Sequence, residues 1–206
     1  SEAVITEIIL AFGTLFPIIN PVGTTFIFES MSKGLRPAQR ASMARRSVIV
    51  SLGVLLAFMF LGPFILEFFG VTIYAFRTAG GVYLARVAMG MLGQSMWKSP
   101  EQYEPSEGSA VVPIAIPLLA GPGGMTTVVA LTSTPSWNVY LATSIAILLT
   151  CMICFVLLRY SNKIVSMVGQ NGSKIIERVL GLLLLVIAAQ FFFGGINGFL
   201  DAKGLS

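Results

Sequence analysis

Histidine is absent from the chain, and only 11% of its 206 residues are Asp, Glu, Lys or Arg, against roughly 25% in an ordinary soluble domain. Without histidine there is no side chain whose ordinary pKa lies near neutrality. No Asp or Glu falls at an obvious midplane position either, so the sequence shows no proton relay. Neither a metal nor a cofactor is expected, and nothing selects H⁺ or Na⁺ as a coupling ion. Charge is missing in whole blocks: none occurs in 8–28, 47–66 or 110–158. With 55% hydrophobic residues and a mean hydropathy of +0.86, the solvent of this chain is a bilayer.

What fills those blocks is apolar sequence of membrane-spanning length, about 20 residues per crossing. Residues 8–28 read as helix 1, 47–66 as helix 2 and 71–93 as helix 3, which carries Arg77 and Arg86. The block 110–158 accommodates helices 4 and 5 around a turn at Ser133-Thr134-Pro135-Ser136-Trp137, and 179–200 is helix 6. The expected fold is an all-α membrane protein of six helices in one domain, 1–206. The first span has no basic leader and no small-residue cleavage site, so it reads as a span and not as a removed signal peptide.

Basic residues set the expected orientation. Lys33, Arg36, Arg40, Arg45, Arg46, Lys98, Arg159, Lys163 and Lys174 fall in the connections after helices 1, 3 and 5, with Arg178 at the start of helix 6, whereas the other side has only Arg77 and Lys203. The positive-inside rule then puts both termini outside. The net charge of +4 is an orientation signal; no basic stretch interleaved with aromatics suggests nucleic acid.

A shift of 101 residues superposes Pro21 on Pro122, Gly23 on Gly124, Thr25 on Thr126, Arg77 on Arg178, Gly80 on Gly181 and Gly93 on Gly194. Helix-breaking and charged residues thus keep one offset through two halves, 1–93 and 110–206, joined by a polar linker at 94–109. Three spans per half force the second half to enter from the opposite face, which makes the repeats inverted.

The repeat also pairs two proline-glycine interruptions, Asn20-Pro21-Val22-Gly23-Thr24-Thr25 and Gly121-Pro122-Gly123-Gly124-Met125-Thr126-Thr127. Proline removes an amide and clashes with the preceding turn, so helices 1 and 4 should each break near the midplane. A half-helix that restarts there presents unpaired amides and the positive end of its dipole, suited to a carboxylate. Carbonyls ending the preceding half-helices suit an ammonium. The glycines allow close backbone approach, and the Asn20 amide with the hydroxyls of Thr24, Thr25, Thr126 and Thr127 adds neutral hydrogen bonds. The expected partner is a small zwitterion held among Asn20, Pro21, Gly23, Thr24, Thr25, Gly121, Pro122, Gly123, Gly124, Thr126 and Thr127.

Asn20-Pro21-Val22-Gly23, Ala120-Gly121-Pro122-Gly123 and the six-span layout resemble the MarC family of bacterial and archaeal membrane proteins, which includes the SnatA-type neutral amino acid transporters. The likeness covers essentially the whole chain. It implies a cytoplasmic-membrane transporter or exporter of small neutral amino acids, with glycine and alanine as substrates.

Other features carry competing readings. Arg86 lies about 20 Å into helix 3 and either neutralises a substrate carboxylate or pairs with Glu29. Cys151 and Cys154 form a C-x-x-C inside helix 5, the signature of a rival function, a membrane thiol-disulfide electron carrier; apolar surroundings favour inert packing thiols and no enzymatic activity. A passive pore lined by backbone carbonyls is a third class. Asn171-Gly172-Ser173 is expected to be a cytoplasmic loop. Gly194-x-x-x-Gly198 is a helix-contact pattern that fits internal packing or a homo-oligomer.

Overall fold

The computed structural model describes residues 2–93, 119–134 and 136–204. The described residues form helices and turns without strands: α1 (Glu2–Ile19), α2 (Pro21–Met31), α3 (Pro37–Phe68), α4 (Ile73–Met91), α5 (Pro122–Leu131), α6 (Trp137–Arg159) and α7 (Ser161–Ala202). Among the described residues, four stretches are long and apolar enough to cross a membrane: Val4–Glu29, Pro37–Phe68, Trp137–Arg159 and Lys174–Ala202. The linker at 94–109 and the first part of helix 4, 110–118, lie outside the described residues.

The first of these stretches is broken at Asn20. Pro21 disfavours the right-handed helical conformation for the residue before it, and Asn20 adopts φ 50° and ψ 63°. Among the described residues it is the one non-glycine with positive φ, a conformation asparagine tolerates better than most side chains. Its Oδ1 accepts a hydrogen bond from the Gly23 amide at 3.0 Å, so α2 restarts already capped. Pro122 likewise occupies the first turn of α5, but the residue before it, Gly121, is extended (φ −65°, ψ 173°) and has no side chain with which to cap.

Two elements differ from their sequence reading. Helix 2 was expected over 47–66, yet α3 begins ten residues earlier at Pro37. Proline suits the first helical turn, and the Ala, Gln, Arg and Met residues that follow are good helix formers, so charge ends the apolar span without ending the helix. Its 32 residues extend about 48 Å, well beyond a hydrocarbon core of about 30 Å. The expected loop around Asn171-Gly172-Ser173 is helical too: α7 starts at Ser161 and changes direction at Gly169 (φ 67°, ψ 172°), a positive φ that glycine supplies without a Cβ clash.

Packing places alternate connections at opposite ends. Arg40 Nη2 donates to Ser161 Oγ at 3.0 Å, which joins the connection after α2 to the one after α6. The C-terminal end of α4 packs on α7, with Met91 and Leu92 against Gly181. At the other end, Val71, Ile73, Ser133 and Tyr140 surround one cavity.

Helices α4 and α7 run antiparallel at close range. A Cβ on Gly81 would lie 2.6 Å from the Phe192 backbone nitrogen and 2.8 Å from the Ala188 carbonyl, and Gly195 and Gly198 stand against Thr78 and Tyr74. The glycine pattern at the end of α7 therefore serves an internal contact, the close backbone approach that small residues permit between membrane helices. A larger core cluster centres on Leu15, Leu55, Met59, Ile147 and Leu158, contributed by α1, α3 and α6.

Candidate functional site at the helix breaks

The fold brings the two interruptions together. A Cβ on Gly123, in the first turn of α5, would meet Leu84 Cδ2 at 2.5 Å and Ile18 Cγ2 at 3.3 Å; one on Gly124 would meet Leu55 Cδ2 at 3.2 Å and Ile19 Cγ1 at 3.9 Å. Ile18 and Ile19 close α1 immediately before Asn20. The start of α5 thus abuts the end of α1, the helix that stops at Asn20. Asn20 also reaches the end of α4, its Nδ2 donating to Met91 Sδ at 3.7 Å.

The sequence-predicted residues are packed in this arrangement. Gly23 has the Asn20 side chain where its Cβ would stand. Thr24, Thr25, Thr126 and Thr127 are between 0% and 5% exposed, and each hydroxyl donates to a main-chain carbonyl of its own break. Thr25 donates to Pro21 O and Thr126 to Pro122 O, both at 2.7 Å; Thr127 donates to Gly123 O at 2.7 Å and Thr24 to Ile19 O at 3.4 Å. The same bond at the same offset from each proline makes the two starts locally alike. These hydroxyls keep oxygen lone pairs and no spare proton, so an ammonium suits them better than a carboxylate. A carboxylate fits better at the start of α5, where no side chain caps the first amides.

Hydroxyls dominate the interior as a whole. Every buried polar residue among those described is Ser or Thr, including Ser47, Ser51, Thr143 and Thr150 as well as the threonines of the breaks. The fully buried residues therefore offer neutral hydrogen bonding, while Glu7 Oε2 and Arg77 Nε are charged-group atoms buried without a hydrogen-bond partner among the described residues.

The two charged candidates separate. Glu29 does not pair with Arg86, as one reading of the sequence had it. It forms an ion pair with Arg40, and Ser161 Oγ donates to Glu29 Oε2 at 2.8 Å. The physical reason is the early start of α3, which lifts Arg40 to the level where α2 ends and α7 begins. Arg40 and Ser161 were missed as site residues: Arg40 read only as an orientation signal, and no local pattern marks Ser161. Arg86 is exposed and borders a cavity of 730 Å³ between α4 and α7 lined by Gly81, Ala85, Ala188 and Phe192. Arg77 lies over the Phe191 ring, 5.7 Å from its centroid. Cys151 and Cys154 are free thiols 6% and 1% exposed within the α1–α3–α6 core.

Comparison with known proteins agrees with this membrane architecture. The model of the MarC family of integral membrane proteins matches residues 5–200. The chain is 36% identical over 197 residues to the UPF0056 membrane protein MJ1677 of Methanocaldococcus jannaschii, covering 92% of this chain and 96% of that one. It is 33% identical to YvbG of Bacillus subtilis, covering 93% and 94%, and 36% identical to YhcE of Escherichia coli, covering 91% and 90%; both are UPF0056 membrane proteins. No solved structure matches the chain. By the extent of these matches, the chain belongs to the MarC family of integral membrane proteins.

Proposed function

We propose that this protein is a secondary transporter, an exporter or exchanger, of small neutral amino acids such as glycine and alanine, working by alternating access across a bacterial or archaeal cytoplasmic membrane. The observation that carries this reading is the juxtaposition of the two breaks, with Gly123 and Gly124 against Ile18 and Ile19. The substrate carboxylate lies at the uncapped start of α5, and the ammonium lies among the threonine oxygens and the carbonyls ending α1. Tight packing at Gly123 and Gly124 restricts the side chain to hydrogen or methyl.

Six crossings in two inverted three-helix halves, with both termini outside, are part of the proposal. The matched Thr25 and Thr126 bonds and the alternation of connections between the two ends support it. The two ends also differ as alternating access requires. The end bearing Glu29, Arg40 and Ser161 is closed by an ion pair, and the opposite end holds a cavity of 270 Å³ bordered by Pro63, Val129, Thr132 and Tyr140. Burial of both cysteines in the core weighs against the thiol-carrier alternative, which needs solvent-accessible thiolate.

The test is uptake of a labelled amino-acid panel by purified protein in liposomes, with and without imposed H⁺ or Na⁺ gradients. Saturable uptake of glycine or alanine, stimulated by unlabelled substrate on the far side, is the expected result. Linear, non-saturating flux without countertransport would identify a pore instead.

A further inference from the structure

The Glu29–Arg40–Ser161 cluster and the hydroxyls of α3 belong to one arrangement that the break residues do not include. Ser47 is fully buried, and its Oγ has no hydrogen-bond partner among the described residues. A buried hydroxyl left unpaired costs free energy, so its retention calls for a partner that comes and goes, such as water or a polar solute. Ser47 lies seven residues beyond Arg40 and Ser51 eleven, so both share Arg40's face of α3, roughly 10 and 16 Å along the axis. Ser51, 1% exposed, leads to Leu55, which touches the Gly124 position at the break. Arg40, Ser47, Ser51 and Leu55 therefore mark a line from one end of the bundle to the meeting point of the two breaks.

That line is shut at its outer end. Glu29 lies in the last turn of α2, which Asn20 caps at its start, Arg40 stands at the beginning of α3, and Ser161 opens α7. Arg40 Nη1 and Nη2 both donate to Glu29, and Nη2 also donates to Ser161 Oγ, which donates in turn to Glu29. A carboxylate, a guanidinium and a hydroxyl from three separate helices hold one another, with Ser161 buried beneath and the Glu29 and Arg40 side chains half-buried at the rim. Charge-assisted bonds of this kind are about twice as strong as neutral ones, and they can exchange for water when the helices part.

We propose that the Arg40–Ser47–Ser51 face of α3 is the hydrophilic passage for a small polar solute between the helix breaks and the basic end of the protein, and that Glu29, Arg40 and Ser161 form its gate. This rests on the transporter reading and adds to it the route and the closing residues on one side. Ser47 is the resting point for solute inside the gate, and Glu29 and Arg40 position the helices without touching substrate at the breaks.

The test measures accessibility, so it is separable from transport. In a cysteine-free background (Cys151→Ala with Cys154→Ala), Ser47→Cys is reacted with a small methanethiosulfonate in purified, monodisperse protein, and Thr132→Cys, buried at the opposite end, serves as control. Adding Glu29→Gln should raise the Ser47→Cys labelling rate about tenfold or more, because a charge-assisted anchor becomes a neutral one. The swap Glu29→Arg with Arg40→Glu should return the rate toward the parent value. An unchanged rate at Ser47→Cys in Glu29→Gln protein would overturn the gate, as would an equal rise at Thr132→Cys, which signals general loosening. If labelling follows the lock while no amino acid is transported, the passage stands and the substrate assignment fails.

Discussion

Asn20 carries two separable roles, and three substitutions pull them apart. Its left-handed backbone (φ 50°) and its Oδ1 bond to the Gly23 amide are structural, whereas its place beside the α5 start is the proposed functional one. Asn20→Ala loses the cap, about 0.5–2 kcal/mol, and puts an ordinary Cβ into the left-handed region, about 1–2 kcal/mol more. A total near 2–3 kcal/mol corresponds to a fall in Tm of roughly 5–10 °C for a chain of this size. Asn20→Gly keeps the backbone conformation free of that Cβ penalty and should cost only a few tenths of a kcal/mol. Asn20→Asp retains the acceptor and adds negative charge at a helix start, a gain opposed by the cost of desolvating a carboxylate near the midplane, so it should destabilise no more than Asn20→Ala. Binding should follow a different order. A carboxylate at position 20, about 6 Å from a bound substrate carboxylate at an effective dielectric constant of about 20, repels it by about 3 kcal/mol, near a hundredfold in Kd. Thermal unfolding followed by fluorescence, with scintillation-proximity binding of labelled alanine on the same preparations, reads both orders. Stable Asn20→Asp protein that binds alanine as tightly as the parent would refute the placement of the carboxylate between the breaks. An Asn20→Gly loss as large as that of Asn20→Ala would refute the backbone argument.

Gly81→Ala should destabilise the α4–α7 pair by about 1–3 kcal/mol, since the added methyl meets Phe192 and Ala188 main chain at 2.6 and 2.8 Å; a lowered Tm without a change in substrate Kd per folded molecule is the expected readout. Replacing Cys151 and Cys154 together by Ala should leave transport intact and cost about 1–2 kcal/mol from two small voids in the core; loss of activity in folded protein would revive the thiol-carrier alternative. In intact cells of the cysteine-free protein, Lys203→Cys should react with an impermeant maleimide and Lys33→Cys should react only after permeabilisation. The reverse pattern would invert the orientation.

The membrane class, the long spans, the break at Asn20 and the helix start at Pro122 were legible because each depends on local chemistry. A run of 49 uncharged residues at 110–158 has one comfortable solvent, and Asn20-Pro21 and Gly121-Pro122 each open a helix with proline in its first turn, whereas Pro17 and Pro63 lie inside α1 and α3. The same local logic failed where charge and helicity part company. Arg40, Arg45 and Arg46 end the apolar run without ending α3, because arginine is a good helix former. At Asn171-Gly172-Ser173 the loop signals were overridden, the bend being made two residues earlier at Gly169. The Asn20 cap was within reach of sequence reasoning, since asparagine before proline and three residues before Gly23 has the spacing of a side-chain acceptor for that amide.

By itself the sequence determined that this chain lives in lipid, that basic residues cluster in a few segments, and that helices begin at Pro21 and Pro122, since the first two follow from composition and hydropathy and the third from the fit of proline to a first helical turn. Only the tertiary structure decided which residues meet. It set Gly123 and Gly124 against Ile18 and Ile19, gave Glu29 to Arg40 and Ser161 instead of Arg86, and buried Ser47 on the line between them. These partners lie 11 to 132 residues apart, and at such separations the choice rests on how long each helix runs past the bilayer and on how closely its small residues let a neighbour approach. Neither quantity is written in any local pattern.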